Sequence, residues 1–214
     1  MKFLSFLLDI AFPPRCLFCG KVLERNAICQ CRKETENKYM LFEDPAEAAK
    51  KIKGVDMIVS CFRYSGPIPE SVYRFKFRGY WSSGRELAAY MAERVRDDPK
   101  MITADAIVPV PSYMNRTRHG RILAHYLSKE LGIPLRPRFV VKIKKTAKQH
   151  ELSKAERKTN LIGAFKARGS AGGLRILLCD DVLTSGETLS AVARVLKDAG
   201  ANEVYAVTYA KASK

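Results

Sequence analysis

The 214-residue chain is long enough for one ordinary domain and a small appended unit. Its apolar fraction of 47% and the lack of long Gly, Ser or Pro tracts exclude a disordered protein. The net charge of +16 is uneven, because segment 112–168 holds fifteen lysines and arginines against three glutamates. This excess predicts either a polyanionic partner or simply a solvated, lysine-rich surface.

The N-terminal stretch Met1–Phe12 starts with a lysine and an apolar run, as a signal peptide does. Asp9 interrupts that run, however, and Pro-Pro-Arg follows where small residues would mark a cleavage site. We interpret the stretch as an amphipathic helix. No run approaches the ~20 apolar residues that span a bilayer, so we expect a cytoplasmic protein without membrane insertion.

Four of the six cysteines are concentrated in the N-terminal region, and their spacing predicts a structural Zn²⁺ site in a zinc-ribbon-like module. The predicted ligands are Cys16, Cys19, Cys29 and Cys31. A disulfide pair and a site that has lost its metal are the alternatives, because the second pair is one residue short of the usual spacing. We assign residues 1–35 to the helix and this module, and 36–54 to a linker. Cys61 and Cys179 lie in apolar runs and are expected in the core.

Residues 55–214 alternate β-rich runs with helical patterns, which predicts an α/β domain with a mostly parallel sheet. The predicted strands are Met57–Tyr64, Ala106–Val110, Phe139–Ile143, Leu174–Cys179 and Glu203–Tyr209. The predicted helices are Ser83–Val95, His119–Leu131 and Glu187–Ala199. The last helix has a continuous apolar stripe and a glycine after its end.

The strongest functional signal is the segment Ile176–Thr188, in which a buried strand leads through a short turn into a helix. Such a turn collects free backbone N–H groups and the positive end of the helix dipole, which together favour an anion. Gly186 allows close approach, and the turn carries three hydroxyls, those of Thr184, Ser185 and Thr188. Asp180 and Asp181 precede it and suit sugar hydroxyls, although a solvated helix cap is the simpler alternative.

The segment Asp180–Thr188 resembles the motif with which type I phosphoribosyltransferases bind phosphoribosyl pyrophosphate (PRPP). The resemblance implies a parallel sheet flanked by helices and Mg²⁺ accompanying PRPP. It further implies that Asp180 and Asp181 hold the ribose hydroxyls. The remaining residues of the motif would bind the 5′-phosphate, and these are Thr184, Ser185, Gly186, Glu187 and Thr188.

A second segment, Ile107–Ser112, resembles the pyrophosphate loop of the same family. With it we group the candidate pyrophosphate ligands Pro111, Ser112, Arg116, Arg118 and Lys76. The candidate catalytic residues are Asp180, Asp181, Arg116 and Arg157. Arg157 belongs to the charged segment 149–160, which we interpret as a lid or, equally, as a plain surface helix start.

The order of the cysteine module, Lys76–Gly79, the Val-Pro-Val-Pro segment, Gln149–Asn160 and the Asp-Asp motif is similar to the ComF/ComFC family. That family implies a zinc-binding N terminus on a phosphoribosyltransferase domain and a role in DNA uptake. Its usual Arg-Gly-Phe-Asn-Gln pattern corresponds here to His119–Leu123.

Three functional hypotheses follow from these resemblances. The first is an enzyme that transfers phosphoribose to or from an acceptor that the sequence does not identify. The second is a non-catalytic competence protein that binds single-stranded DNA, with other competence proteins as further partners, and the third is a PRPP-sensing regulator. The aromatic residues predicted to be available for base stacking are Phe62, Tyr64, Tyr73, Phe75, Phe77, Tyr80 and Trp81.

Overall fold

The computed structural model describes residues 15–24, 27–77, 81–112, 118–144 and 161–212, without the side chains of Trp81 and Ser82. Its strands are β1 (Met57–Arg63), β2 (Ala106–Pro109), β3 (Val140–Lys142), β4 (Phe165–Ala167), β5 (Arg175–Leu183) and β6 (Glu203–Lys211). Its helices are α1 (Cys31–Tyr39), α2 (Pro45–Ala49), α3 (Ile68–Phe77), α4 (Trp81–Arg96), α5 (His119–Leu131) and α6 (Glu187–Asp198).

The main sheet has four parallel strands in the order β1-β6-β5-β2, and β3 and β4 form a separate antiparallel pair. Alternate residues of β5 face opposite sides of this sheet, as the pleat requires. Leu177 and Cys179 belong to one hydrophobic core, whereas Ile176 and Leu178 belong to the other. Helices α3, α4 and α5 cover the first face and α2 and α6 cover the second, so the predicted α/β architecture is observed.

Strand β5 is longer than predicted, and this changes where the two aspartates sit. The sequence suggested that the strand ends at Cys179, but β6 continues to pair with β5 as far as Leu183. Strand β2 stops earlier, with Pro109 opposite Cys179. Asp180 and Asp181 therefore lie within β5, in the part that pairs with β6 but not with β2, rather than in the turn that follows the strand.

The segment 36–54, predicted as a linker, packs against the sheet. The backbone N–H of Leu41 donates to the carbonyl of Cys61 at 2.9 Å, and Met40 forms an antiparallel bridge to Phe62. Lys211 of β6 forms an ion pair with Glu43 at 2.6 Å. This segment thus covers the outer edge of β1, the end strand of the sheet.

Candidate functional site

The turn between β5 and α6 is shaped by a glycine in the left-handed region. Gly186 has φ of +77° and directly precedes the first residue of α6. A β-carbon there would lie 3.0 Å from Cγ1 of Ile52, so the position has neither the backbone freedom nor the space for a side chain. The backbone N–H of Glu187 lies 3.5 Å from Oγ of Ser185. The sequence thereby places the amino end of a 12-residue helix at the carboxyl end of a central strand.

One small concavity brings together Asp180, assigned to the sugar, and three of the residues assigned to the phosphate, whereas Asp181 does not line it. It has a volume of about 220 Å³ including its open mouth. It is lined by Asp180, Val182, Leu183, Thr184, Gly186, Thr188 and Leu189. Asp180 and the turn therefore face the same space, which is the arrangement a ribose phosphate would need. Ser185 and Glu187 are partly buried beside it, and one carboxylate oxygen of Glu187 is buried with no partner among the described residues.

The two aspartates differ in their surroundings. Asp180 Oδ1 accepts the backbone N–H of Asp181 at 2.9 Å, whereas Asp181 Oδ1 accepts from Nζ of Lys76 at 2.7 Å. Burial and the neighbouring charge of Asp181 raise the pKa of Asp180 to about 7. The pair therefore combines an ion-paired carboxylate with a carboxyl group that is close to half protonated at neutral pH.

We expect Asp180→Asn to stabilise the unliganded protein at pH 8 by about 1–2 kcal/mol and to have no such effect at pH 4. In the unfolded chain this carboxyl loses its proton near pH 4, but in the folded protein only near pH 7. The folded state thus binds more protons between these values, and stability falls as pH rises through the window. Asparagine keeps the acceptor for the N–H of Asp181 and removes the buried charge. Urea unfolding of both proteins at the two pH values is the measurement. Equal free energies of unfolding at pH 8 would contradict the prediction.

Lys76 and His119 are brought together beside Asp181 by the packing of α3 against α5. The His119 ring contacts the rings of Phe75 and Phe77, with centroids 5.6 and 6.3 Å apart. Burial and the charge of Lys76 lower the pKa of His119. The sequence predicted Lys76 as a candidate ligand residue but assigned His119 no role. The only signal for His119 in the sequence was its position next to Arg118.

The predicted pyrophosphate loop forms a second small concavity, of about 290 Å³ including its open mouth, at the end of β2. Pro111 and Ser112 line it together with Arg121, a residue that the sequence analysis did not select. Arg118 does not line this concavity. Its side chain lines a larger groove along α5. Arg116 and Arg157 lie outside the described residues. The one sequence signal for Arg121 was its position three residues after Arg118, in the first turn of the helix predicted to begin at His119.

The four N-terminal cysteines converge as predicted. Their Sγ atoms all lie within 4.8 Å of one another, and the three shortest pairs are separated by 3.3 to 3.5 Å. Tetrahedral Zn²⁺ with bonds of ~2.3 Å requires sulfur atoms about 3.8 Å apart, so this donor set fits the metal. All six cysteines are free of disulfides, and Cys61 and Cys179 are fully buried, as predicted. The cluster can hold a metal ion such as zinc.

The cysteine cluster packs directly against the α/β domain. Phe18, within the first knuckle, is 2% exposed, and its ring packs against Phe62 and Tyr90 with centroids 5.7 and 5.9 Å apart. Arg32, next to the last cysteine, donates through Nε to the Tyr90 hydroxyl at 2.8 Å. Helix α1 begins at the fourth cysteine and crosses residue 35, where the module was predicted to end. The metal site and the main core therefore share side chains.

Comparisons with known proteins find a matching family model and several similar proteins. The family model described as "Phosphoribosyl transferase domain" matches residues 82–214. Competence protein F of Haemophilus influenzae is 30% identical over 89% of this chain and 93% of its own length. DNA utilization protein YhgH of Salmonella typhimurium is 31% identical over 69% of this chain and 68% of its own. A purine phosphoribosyltransferase structure from Pyrococcus horikoshii is 26% identical, with a TM-score of 0.42 over 61% of this chain and 74% of that one.

The fold and the family match define this chain as a protein of the phosphoribosyltransferase class, with a parallel sheet flanked by helices. More narrowly, the chain belongs to the ComF family, and the predicted fold and family are both confirmed. Within the described ranges, no helix is long and apolar enough to cross a bilayer.

Proposed function

We propose that this protein binds PRPP and transfers its phosphoribosyl group to an acceptor, in the context of competence and DNA uptake. The observation that carries the proposal is the single concavity shared by Asp180, Gly186 and Thr188 at the carboxyl end of β5. Amides and hydroxyls of the turn would bind the 5′-phosphate, and the aspartates would accept from the ribose hydroxyls. The competence context comes from the name of the Haemophilus relative, and the name of the Salmonella relative adds a link to DNA utilization.

In the proposed reaction, the bond between ribose C1 and pyrophosphate breaks and a bond from C1 to the acceptor forms. Pro111, Ser112 and Arg121 are the described residues positioned to hold the departing pyrophosphate. Arg116, Arg118 and Arg157 remain predictions for the same task. When PRPP is bound, Lys76 would have to exchange its contact with Asp181 for a contact with the ligand, or share the carboxylate with a ribose hydroxyl.

Magnesium would accompany PRPP rather than occupy a cage of protein ligands. Among the described residues, the only group of three or more potential metal ligands is the cysteine cluster. Mg²⁺ is commonly held by substrate phosphates with one or two carboxylates, and Asp180 and Asp181 can supply those. The ion would neutralise charge on the leaving pyrophosphate.

The direct test is calorimetric titration of the protein with PRPP and Mg²⁺. We expect saturable binding that Asp181→Asn weakens by about 10- to 100-fold, since a charge-assisted bond to a ribose hydroxyl is lost. Asp198→Asn is the matched control, because Asp198 is exposed at the far end of α6, and it should leave the affinity unchanged. Pyrophosphate release on adding candidate bases then tests transfer itself. Absence of PRPP binding by the unmodified protein would refute the proposal.

The structure reduces the number of aromatic residues that are available for base stacking, on which the single-stranded-DNA hypothesis depends. Phe62 and Phe75 are 0% and 3% exposed and pack in the core, so neither is available for stacking. Tyr64, Tyr73 and Phe77 remain at the surface. Of the aromatic residues that the structure describes, two therefore belong to the core and three stay available at the surface, while the side chains of Tyr80 and Trp81 lie outside the described part.

A further inference from the structure

A large cavity lies beside the predicted PRPP site and shares with it the candidate pyrophosphate ligands Arg118 and Arg121. It is a groove of about 750 Å³ along the outer side of α5, and we call it the basic groove. One wall is a stripe of α5 in which Arg121, Ile122, His125 and Tyr126 recur at helical spacing, together with Arg118 directly before the helix. The volume lies within the range of pockets that hold small organic ligands.

The second wall comes from the loop before β3. It contributes Leu135, Pro137 and Arg138 to the groove. The backbone of this loop is fixed to the sheet, because the Ile107 N–H donates to the carbonyl of Pro134 and the Arg136 N–H donates to the carbonyl of Ile107, both at 2.8 Å. Helix α5 is equally fixed, since its opposite side is buried in the core. The groove thus has two rigid walls and does not depend on a loop closing over it.

The charge of the groove is of one sign. Among the described residues, Arg118, Arg121 and Arg138 line it, and no aspartate or glutamate does. None of the three guanidinium groups forms a salt bridge or a side-chain hydrogen bond with another described residue. This contrasts with Arg32, Arg74, Arg94 and Arg175, each of which has a carboxylate partner. Three forked donors in one concavity, without a side-chain partner among the described residues, favour a ligand with several anionic oxygens.

The remaining lining is aromatic and apolar. The rings of His125 and Tyr126 lie 5.8 Å apart, and Ile122 and Leu135 add apolar surface. A simple inorganic anion would leave this surface unused, whereas a phosphate that carries a planar base would use both parts. The groove also meets the predicted pyrophosphate loop, because Arg121 and Pro137 line both cavities.

We propose that the basic groove is a nucleotide-binding site, separate from the PRPP loop, in which arginines hold phosphate and the His125–Tyr126 face supports a base. The chemistry is common to a free nucleotide and to a nucleotide unit of a single strand. The groove goes beyond the proposed function, since its ligand is a nucleotide rather than PRPP; Arg118 and Arg121, at the end next to the pyrophosphate loop, would serve both ligands. It explains why part of the basic excess of segment 112–168 lines a cavity and is not spread over an open surface.

The test uses the full chain with two probes, thymidine 5′-monophosphate and a fluorescein-labelled oligothymidylate, with binding followed by fluorescence anisotropy and by competition. The test variant is Arg138→Gln combined with His125→Ala, two exposed changes away from both the core and the PRPP loop. Arg194→Gln is the charge control, because Arg194 is exposed on α6 across the sheet. We expect affinity for the bound probe to fall at least about tenfold in the test variant and less than twofold in the control.

Each outcome decides the proposal. Selective loss in the test variant supports it, and the probe that binds tells whether the ligand is a free nucleotide or a strand. Equal losses in the test and control variants, equal competition by heparin, which has charge but no bases, or no binding of either probe would overturn it. PRPP is titrated in parallel. Unchanged PRPP affinity in the test variant supports a separate site, whereas an equal loss of PRPP affinity would show that the groove is part of the PRPP site and would overturn the proposal. A failure of PRPP to bind the unmodified protein would refute the proposed function and leave the groove assay readable.

Discussion

The Gly186→Val protein should lose PRPP binding by ~100-fold or more, the largest effect expected of a single substitution in the site. A β-branched residue resists the φ of +77°, and its side chain would meet Ile52 at about the 3.0 Å distance of the missing β-carbon. Relief of that contact must move the turn away from α2, which displaces the N–H groups at the start of α6. Calorimetry with PRPP and Mg²⁺ is the measurement.

Gly132→Val provides a matched control for the backbone strain. Gly132 ends α5 with φ of +71°, and a β-carbon there would meet nothing within 4 Å. Both variants should lose about 1–3 kcal/mol of stability from the left-handed backbone, but only Gly186→Val should lose the ligand. Equal PRPP affinity in the two variants would show that the turn does not bind the phosphate. Gly186→Ala, with less bulk, covers the case in which valine prevents folding.

Loss of the metal should destabilise the whole α/β core rather than the N-terminal module alone. We expect about one zinc per chain by metal analysis, and none after Cys16→Ser with Cys19→Ser. The unfolding temperature should fall by about 10 °C or more, because Leu17 and Phe18 would leave the core when the first knuckle opens. Far-UV circular dichroism during heating, with and without a chelator, measures this.

Two controls separate metal loss from simple loss of a thiol. Cys61→Ala removes a fully buried thiol outside the cluster and should keep the zinc while lowering stability modestly. Adding Zn²⁺ back after chelation should restore the original unfolding temperature. If the unfolding temperature of the chelated protein equals that of the zinc-loaded protein, the cluster does not support the core.

The turn at Gly186 was predictable because its signal is local. A buried strand, two acids, hydroxyls, a glycine and an amphipathic helix follow one another within 24 residues, and helix α6 has its apolar stripe where the sequence placed it. The helix α5 was predicted with its observed ends for the same reason, since Gly132 stops it. The ligand roles of these residues stay predictions.

Other parts of the site depend on tertiary packing and have little local signal. The α3 helix was not predicted, because Pro69 and the exposed rings of Tyr73 and Phe77 obscure its buried stripe. His119 comes near Asp181 only through the packing of α5 against β5. Strand β4 is three residues long, too short for a period-two pattern to be visible.

The shared packing of the cysteine module also limits how the chain can be shortened. Residues 15–54 shield Phe62 and Tyr90 on one side and supply hydrogen bonds along the outer edge of β1 on another. A fragment starting at residue 55 would present a bare strand edge flanked by exposed aromatic rings, a surface that promotes self-association. Biochemical work on the phosphoribosyltransferase-type domain in isolation would thus begin with an aggregation problem that the 214-residue chain avoids.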